Sequence, residues 1–194
     1  MNITTDQIKK LREETGVSVM QCKKALEESS GDIEKAKIIL RKISKISADK
    51  KADRNLGSGV VVSYIHNNGA VGAMVELLCE TDFVAKNEEF VALAKDIAMH
   101  IAALAPEYIK IEDVSNDDKE KAQELFEKEA EGKPKEMRDK IVEGKLKAYL
   151  AEKTLLEQSF IKNPEITIKN LVEQAVQKFG ERTEIGRFSR FSIK

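Results

Sequence analysis

The chain has 194 residues, enough for one domain or for a small module joined to a larger one, and a core of that size needs neither disulfides nor metals. Charged residues make up 35%, yet 33 Lys and Arg against 34 Asp and Glu leave a net charge of −1, which argues against a generic binder of nucleic acid or membrane surfaces. With 41% hydrophobic residues, 10 Gly and 3 Pro, the composition excludes collagen-like and low-complexity chains and fits a helix-rich globular protein.

Residues 1–46 read as three short helices sharing one small core. Thr4-x-x-Gln7 has the spacing of a capping box ahead of Ile8 and Leu11, and Thr15-Gly16 closes the first helix. A second box, Ser18-x-x-Gln21, opens a helix carrying Met20, Cys22, Ala25 and Leu26. Asp32 caps the third, where Ile33, Ala36, Ile39 or Leu40 and Ile43 recur at helical spacing. Residues 41–54 then carry a net charge of +4 with few large apolar side chains after Ile46, and read as a linker or a frayed helix extension, with the basic linker placed at residues 47–56.

From Gly57-Ser58-Gly59 the hydrophobic period changes to two. Val60 to His66, the turn residues Asn67-Asn68-Gly69 and Val71 to Cys79 predict a β-hairpin. After Thr81-Asp82-Phe83, a helix with Phe90, Leu93, Ile97, Ile101 and Leu104 on one face ends before Pro106. The apolar run 91–105 is interrupted by Lys95, Asp96 and His100, and falls short of the roughly 18 residues a membrane span requires. His100 lies off the middle of the apolar stripe and is expected at the boundary of the core.

Residues 112–131 carry nine acids against three lysines and read as a solvated helix face. Lys133-Pro134 breaks it, and Met137, Ile141, Leu146, Tyr149 and Leu150 suggest a second, antiparallel helix, giving a helical hairpin over about 117–150. Asn163-Pro164 reads as a turn. Thr167 caps a helix with Leu171, Val172, Ala175 and Phe179, which Gly180 stops. The alternation Arg187 to Ile193 predicts a last strand that joins the hairpin in an antiparallel sheet. The expected fold is therefore α+β: a three-helix module over 1–46, a linker over 47–56, and a core over 57–194 with a small antiparallel sheet packed with helices.

The residues give little support to catalysis. There is no GxxxxGK[ST] loop, no HExxH and no GxSxG, and Gly57-Ser58-Gly59 precedes a strand rather than a helix. Glu76, Glu80, Asp82 and His66 could be imagined as a carboxylate site, but strand alternation puts Glu76 and Glu80 on one face with nothing to raise a pKa. Neither an enzyme activity nor a cofactor or metal is expected. Cys22 and Cys79 lack CxxC spacing and neighbouring His, so they are expected to be buried, inert thiols. The start, MNITTDQIKK, resembles neither a signal peptide nor a transit peptide, and the protein is expected in the cytoplasm.

Thr81-Asp82-Phe83-Val84 is the unusual segment, with an acid and a large aromatic in a short strand-to-helix turn. Two readings are open. Asp82 or Asn87 is a helix cap with Phe83 a lid on the core, or the turn is a probe offered to a partner's cavity.

These residues resemble the elongation factor Ts family, the guanine-nucleotide exchange factors of elongation factor Tu. The resemblance rests on Leu11-Arg12-Glu13-Glu14-Thr15-Gly16, Cys22-Lys23-Lys24-Ala25-Leu26 and Gly31-Asp32-Ile33 near the start, and on Cys79-Glu80-Thr81-Asp82-Phe83-Val84-Ala85-Lys86-Asn87 in the centre. Glu143-Gly144-Lys145-Leu146, Leu155-Leu156-Glu157-Gln158-Ser159-Phe160 and Arg187-Phe188-Ser189-Arg190-Phe191 extend it. It implies a ubiquitin-associated-like N-terminal module and an exchange turn, Thr81, Asp82, Phe83 and Val84, that dislodges Mg²⁺ from elongation factor Tu and so promotes GDP release. Arg12, Met20, Lys23 and His66 match further contact positions, although a core position for Met20 stays open. With no phosphate loop or base-reading motif in the sequence, no direct binding of nucleotide by this chain is expected. Gln21 departs from the family's usual acid, and one hairpin-helix unit stands where longer members carry two, so a homodimer of cores is an expectation. Two other functions are weighed: an adaptor acting through the three-helix module, which leaves most of the chain unexplained, and a weak nucleic-acid binder using the basic linker, which lacks interleaved aromatics.

Overall fold

The computed structural model describes residues 3–193. The first three helices are α1 (Thr5–Thr15), α2 (Val19–Glu28) and α3 (Ile33–Asp49). Their caps are those the sequence predicts, with one difference. Thr4 and Gln7 form the reciprocal capping box, whereas the Gln21 side-chain oxygen of the second pair accepts from the Ser18 hydroxyl at 3.0 Å. Gly16 ends α1 at φ +68°, a left-handed conformation that a residue with a Cβ adopts only under strain. Leu11, Val17, Cys22, Ala25, Leu26 and Leu40 close a small core of their own.

The second half of α3 runs into the segment expected as linker. Ser44 is buried, and its one hydroxyl proton is shared between the Leu40 carbonyl and the Gln177 side-chain oxygen on a later helix, so packing there extends α3 through Asp49 before the chain turns. The second half of α3 thus packs against the later helix that carries Gln177.

Strands β1 (Ser58–His66) and β2 (Val71–Cys79) form the predicted antiparallel hairpin. Gly59 is needed where they begin to pair, because a Cβ there would lie 2.5 Å from the Leu77 carbonyl oxygen. The single turn α4 (Asp82–Ala85) and the long α5 (Glu88–Leu104) follow. Next come α6 (Asn116–Glu129) and α7 (Lys135–Lys153), the antiparallel hairpin, whose partners include Phe126 and Tyr149 edge to face at 6.0 Å.

Residues 159–167 depart from the expected turn. Asn163 and Pro164 lie in β4 (Asn163–Thr167), which pairs with β3 (Ser159–Phe160), and the chain reverses one step earlier, at Ile161 and Lys162. A two-stranded ribbon has edges on both sides, so proline's missing N–H costs no ladder bond. Helix α8 (Ile168–Phe179), capped by Thr167 and stopped by Gly180, leads to β5 (Glu184–Ser192), which pairs with β2 to give the order β1-β2-β5.

The main core lies between that sheet and α5. Ala73, Val75, Leu77 and Cys79 alternate inward along β2, and Phe90, Ala94, Ile97 and Ile101 meet them from α5. Phe90 packs edge to face on Phe179 of α8 at 5.6 Å. Each such fully buried large side chain contributes roughly 1.5–3 kcal/mol, which fixes the sheet ends relative to the helices. His100 is not at the boundary but fully buried, because the β3–β4 ribbon covers the flank of α5 that helical periodicity alone leaves exposed. Its Nδ1 accepts from the Ile161 N–H and its Nε2 faces the Gln158 side-chain amide oxygen at 2.9 Å, an arrangement that suits the neutral ring that burial favours. Cys22 and Cys79 are buried free thiols whose pKa is raised by desolvation. Among the described residues, no helix is long and apolar enough to cross a membrane.

Candidate functional site

The turn after β2 is built from Thr81. Its backbone is extended, and its hydroxyl accepts from the Val84 N–H at 3.5 Å, so Thr81 rather than Asp82 caps α4. Asn87 caps α5 through the Glu89 N–H at 2.9 Å. One helical turn then sorts the four residues: Val84 and Ala85 point into the main core, each 5% exposed, while Asp82 and Phe83 face outward.

Phe83 is 80% exposed, which removes the reading of it as a lid on the core. Asp82 forms an ion pair with Lys86 at 2.7 Å, and that hydrogen bond and charge hold its carboxyl below the usual aspartate range, so it stays ionised at neutral pH.

The turn is also tied from behind. Glu181, in the loop between α8 and β5, accepts from the Glu80 and Thr81 N–H groups at 3.1 and 3.0 Å through one carboxylate oxygen, and from the Thr81 hydroxyl at 2.6 Å through the other. The Glu80 carboxylate in return accepts from the Arg182 N–H at 2.6 Å and pairs with Arg54 at 3.3 Å. These donors lower the Glu80 pKa, the Arg182 N–H most and Arg54 next. Arg182 closes the set by donating to the Arg54 carbonyl at 2.6 Å and pairing with Glu184 at 2.5 Å. None of Arg54, Glu181 and Arg182 is signalled by local sequence pattern, since two of them lie about a hundred positions from the turn they hold.

The other candidate residues sit elsewhere on the surface. Arg12 on α1, and Met20 and Lys23 on α2, are exposed, and Met20 at 78% exposure is not a core methionine. His66 ends β1 at the hairpin tip, with Nδ1 3.0 Å from the Tyr64 hydroxyl. Ser58 pairs with Cys79 and His66 with Val71, so the Thr81 turn and His66 stand at opposite ends of the hairpin, about 27 Å apart at strand rise. The structure therefore gathers Thr81, Asp82, Phe83 and Val84 into one turn and spreads the rest over separate elements, a layout suited to a large partner. Among the described residues, no cluster of His, Cys, Asp and Glu could hold a metal ion.

The sequence model of the family described as Elongation factor TS matches residues 2–194. The chain belongs to the elongation factor Ts family. It is 50% identical over 193 residues to the elongation factor Ts of Carboxydothermus hydrogenoformans, an alignment covering 98% of this chain and 89% of that one. Identity to the elongation factor Ts of Thermodesulfovibrio yellowstonii is 50% over 194 residues, with 100% and 97% covered. The elongation factor Ts of Fervidobacterium nodosum is 44% identical over 195 residues, with 100% and 99% covered. Membership makes this protein a translation elongation factor.

Proposed function

We propose that this chain is a guanine-nucleotide exchange factor that binds elongation factor Tu·GDP and promotes GDP release by dislodging Mg²⁺ during translation elongation in the cytoplasm. The observation that supports this reading is Phe83, a large aromatic presented to solvent beside an ionised acid on a turn anchored at both its ends. A bound nucleoside diphosphate owes much of its affinity to its Mg²⁺ and to phosphate-loop amides. A wedge that disturbs that region weakens the nucleotide without reading the base. Arg12, Met20, Lys23 and His66 serve in this reading as docking contacts, and the protein acts by binding rather than by chemical conversion.

The test is release of a fluorescent GDP analogue from elongation factor Tu. Substoichiometric amounts of the protein should accelerate release through many turnovers, while the protein alone retains no GDP in equilibrium dialysis. Unchanged release, or stoichiometric GDP binding by the isolated chain, would overturn the proposal.

The core is further proposed to pair with a second copy through the outer sheet face. Val61 and Ile65 on β1, Met74 on β2 and Phe191 on β5 are each at least half exposed, and Ile65, Gly72 and Phe191 stand in register across the three strands. So much apolar surface on one face is uncommon in a monomer. Light scattering should give twice the 21.7 kDa chain mass, and Met74→Glu should give a folded monomer; a monomeric wild-type mass at all concentrations would exclude the pairing.

A further inference from the structure

Every polar group of Thr81 is occupied. Its carbonyl accepts from the Ala85 N–H and the Cys79 thiol at 3.2 Å each, and its N–H and hydroxyl both donate to the Glu181 carboxylate. The hydroxyl has a single proton, and Glu181 takes it. The oxygen lone pairs are thereby left to the Val84 N–H, so the carboxylate sets the polarity of the cap as well as its position. The pairing is reciprocal between the two segments: Glu181 receives the amides of Glu80 and Thr81, and Glu80 receives the amide of Arg182.

Neither burial nor solubility requires such a set of bonds beneath a one-turn helix. The core already holds Val84 and Ala85. What the bonds add is a fixed direction for the two residues that leave the surface next, Asp82 and Phe83.

We infer that Glu181 is the positioning residue of the exchange turn, holding Thr81 so that Asp82 and Phe83 are presented in their working orientation before the partner arrives. The inference rests on the exchange reading above. Docking is carried by other residues in this reading, so if only a fraction of docked molecules present the turn correctly, the maximal rate falls by that fraction while the docking affinity is kept. Glu181 is itself not a contact residue in this account. Its carboxylate is taken up by the Thr81 hydroxyl and the Glu80 and Thr81 amides, and its effect passes through those two residues.

The test uses the full chain with Glu181→Ala and Glu181→Gln, and compares the maximal rate of stimulated GDP release, the factor concentration giving half of it, thermal stability, and amide hydrogen exchange at Glu80, Thr81 and Val84. Glu181→Ala should lower the maximal rate about fivefold to tenfold, as expected for loss of hydrogen bonds of ordinary strength in a partly exposed site. The half-maximal concentration should change little, because Arg12, Met20 and Lys23 are untouched. The melting midpoint should fall by no more than about 4 °C, while the three amides lose protection. Glu181→Gln should fall between, since its amide oxygen can still receive the backbone N–H groups but its NH₂ opposes the Thr81 proton.

Adding Glu181→Ala to Asp82→Ala with Phe83→Ala should cause no further loss. A wild-type maximal rate for Glu181→Ala would overturn the inference, and so would an equal additional loss in the triple variant, which would mean that Glu181 acts through the fold. If the Asp82 and Phe83 double variant itself exchanges normally, the exchange reading fails and takes this inference with it; normal exchange by Glu181→Ala beside a defective double variant removes the inference alone.

Discussion

Replacing Asp82 and Phe83 together by alanine is expected to slow stimulated GDP release about tenfold or more while the protein stays folded. On the proposed exchange reading, the turn acts in the ternary state in which factor, GTPase and nucleotide coexist, and bound nucleotide must weaken the factor's grip by the same coupling energy, typically about 1 to 3 kcal/mol. Losing about 1.4 kcal/mol of that coupling is a factor of ten in rate. Little stability should be lost with it. Phe83 leaves 80% of its surface in water, and the Asp82–Lys86 pair is a solvent-screened surface contact. Phe90 sets the contrast: it is fully buried against Phe179, and Phe90→Ala should cost about 3 to 5 kcal/mol whatever it does to exchange. Thermal melts and release of a fluorescent GDP analogue on the same double variant decide the matter. A destabilised protein with normal exchange per folded molecule would show that the turn is packing after all.

Salt and pH sharpen the same experiment. The Asp82 carboxyl titrates below its ordinary range because Lys86 donates to it, so the wedge keeps its charge throughout the neutral range. Loss of exchange from protonation of Asp82 should therefore appear only on acidification below the usual aspartate range.

What was legible in the sequence was mostly local. The Thr4-Gln7 box, Asp32, Gly16, the Asn67-Asn68-Gly69 turn and the Thr167 cap act over a few residues, and the caps and the turn form where their spacing predicts. The inward alternation of β2 and the apolar stripe of α5 were legible for the same reason, each being a period that one face must bury. Where the reading fell short, the cause lies far along the chain. His100 is buried by a ribbon some sixty residues away, α3 is lengthened by packing on α8, and Pro164 is carried in a strand because its partner is a single short edge. For Met20 and Phe83 the sequence left a core and a surface reading open. Exposures of 78% and 80% decide both, because whether an apolar side chain finds a cavity depends on every other element. The clamp on the site was the least legible part: Glu181 and Arg182 follow a helix stop as two ordinary surface charges, and only the fold sets them behind Thr81.

A chain beginning at Leu56 is expected to keep its core but to need at least tenfold more protein for half-maximal exchange, with a smaller change in the maximal rate. The main cluster draws all its buried residues from Ala73 onward, so it does not depend on α1 to α3 for closure. Three exposed side chains, Arg12, Met20 and Lys23, leave with the module, and loss of even one that anchors a partner typically costs more than 1 kcal/mol of binding. The truncation is not silent for the core, however. It strips α3 from α8, leaving Gln177 without Ser44, and it removes Arg54, which supports Glu80 and supplies the carbonyl that Arg182 grips. Some loss of melting temperature and some loss of maximal rate should follow from that alone. Met20→Ala with Lys23→Ala in the full chain separates the two effects, since both side chains are exposed and neither touches α8 or the clamp. If that pair raises the half-maximal concentration while leaving the maximal rate and the melt unchanged, docking belongs to the module and exchange to the Thr81 turn. Unchanged affinity in both variants would show that α1 and α2 are not contact surfaces, and would leave His66 and the turn, at the two ends of the hairpin, to carry the whole attachment.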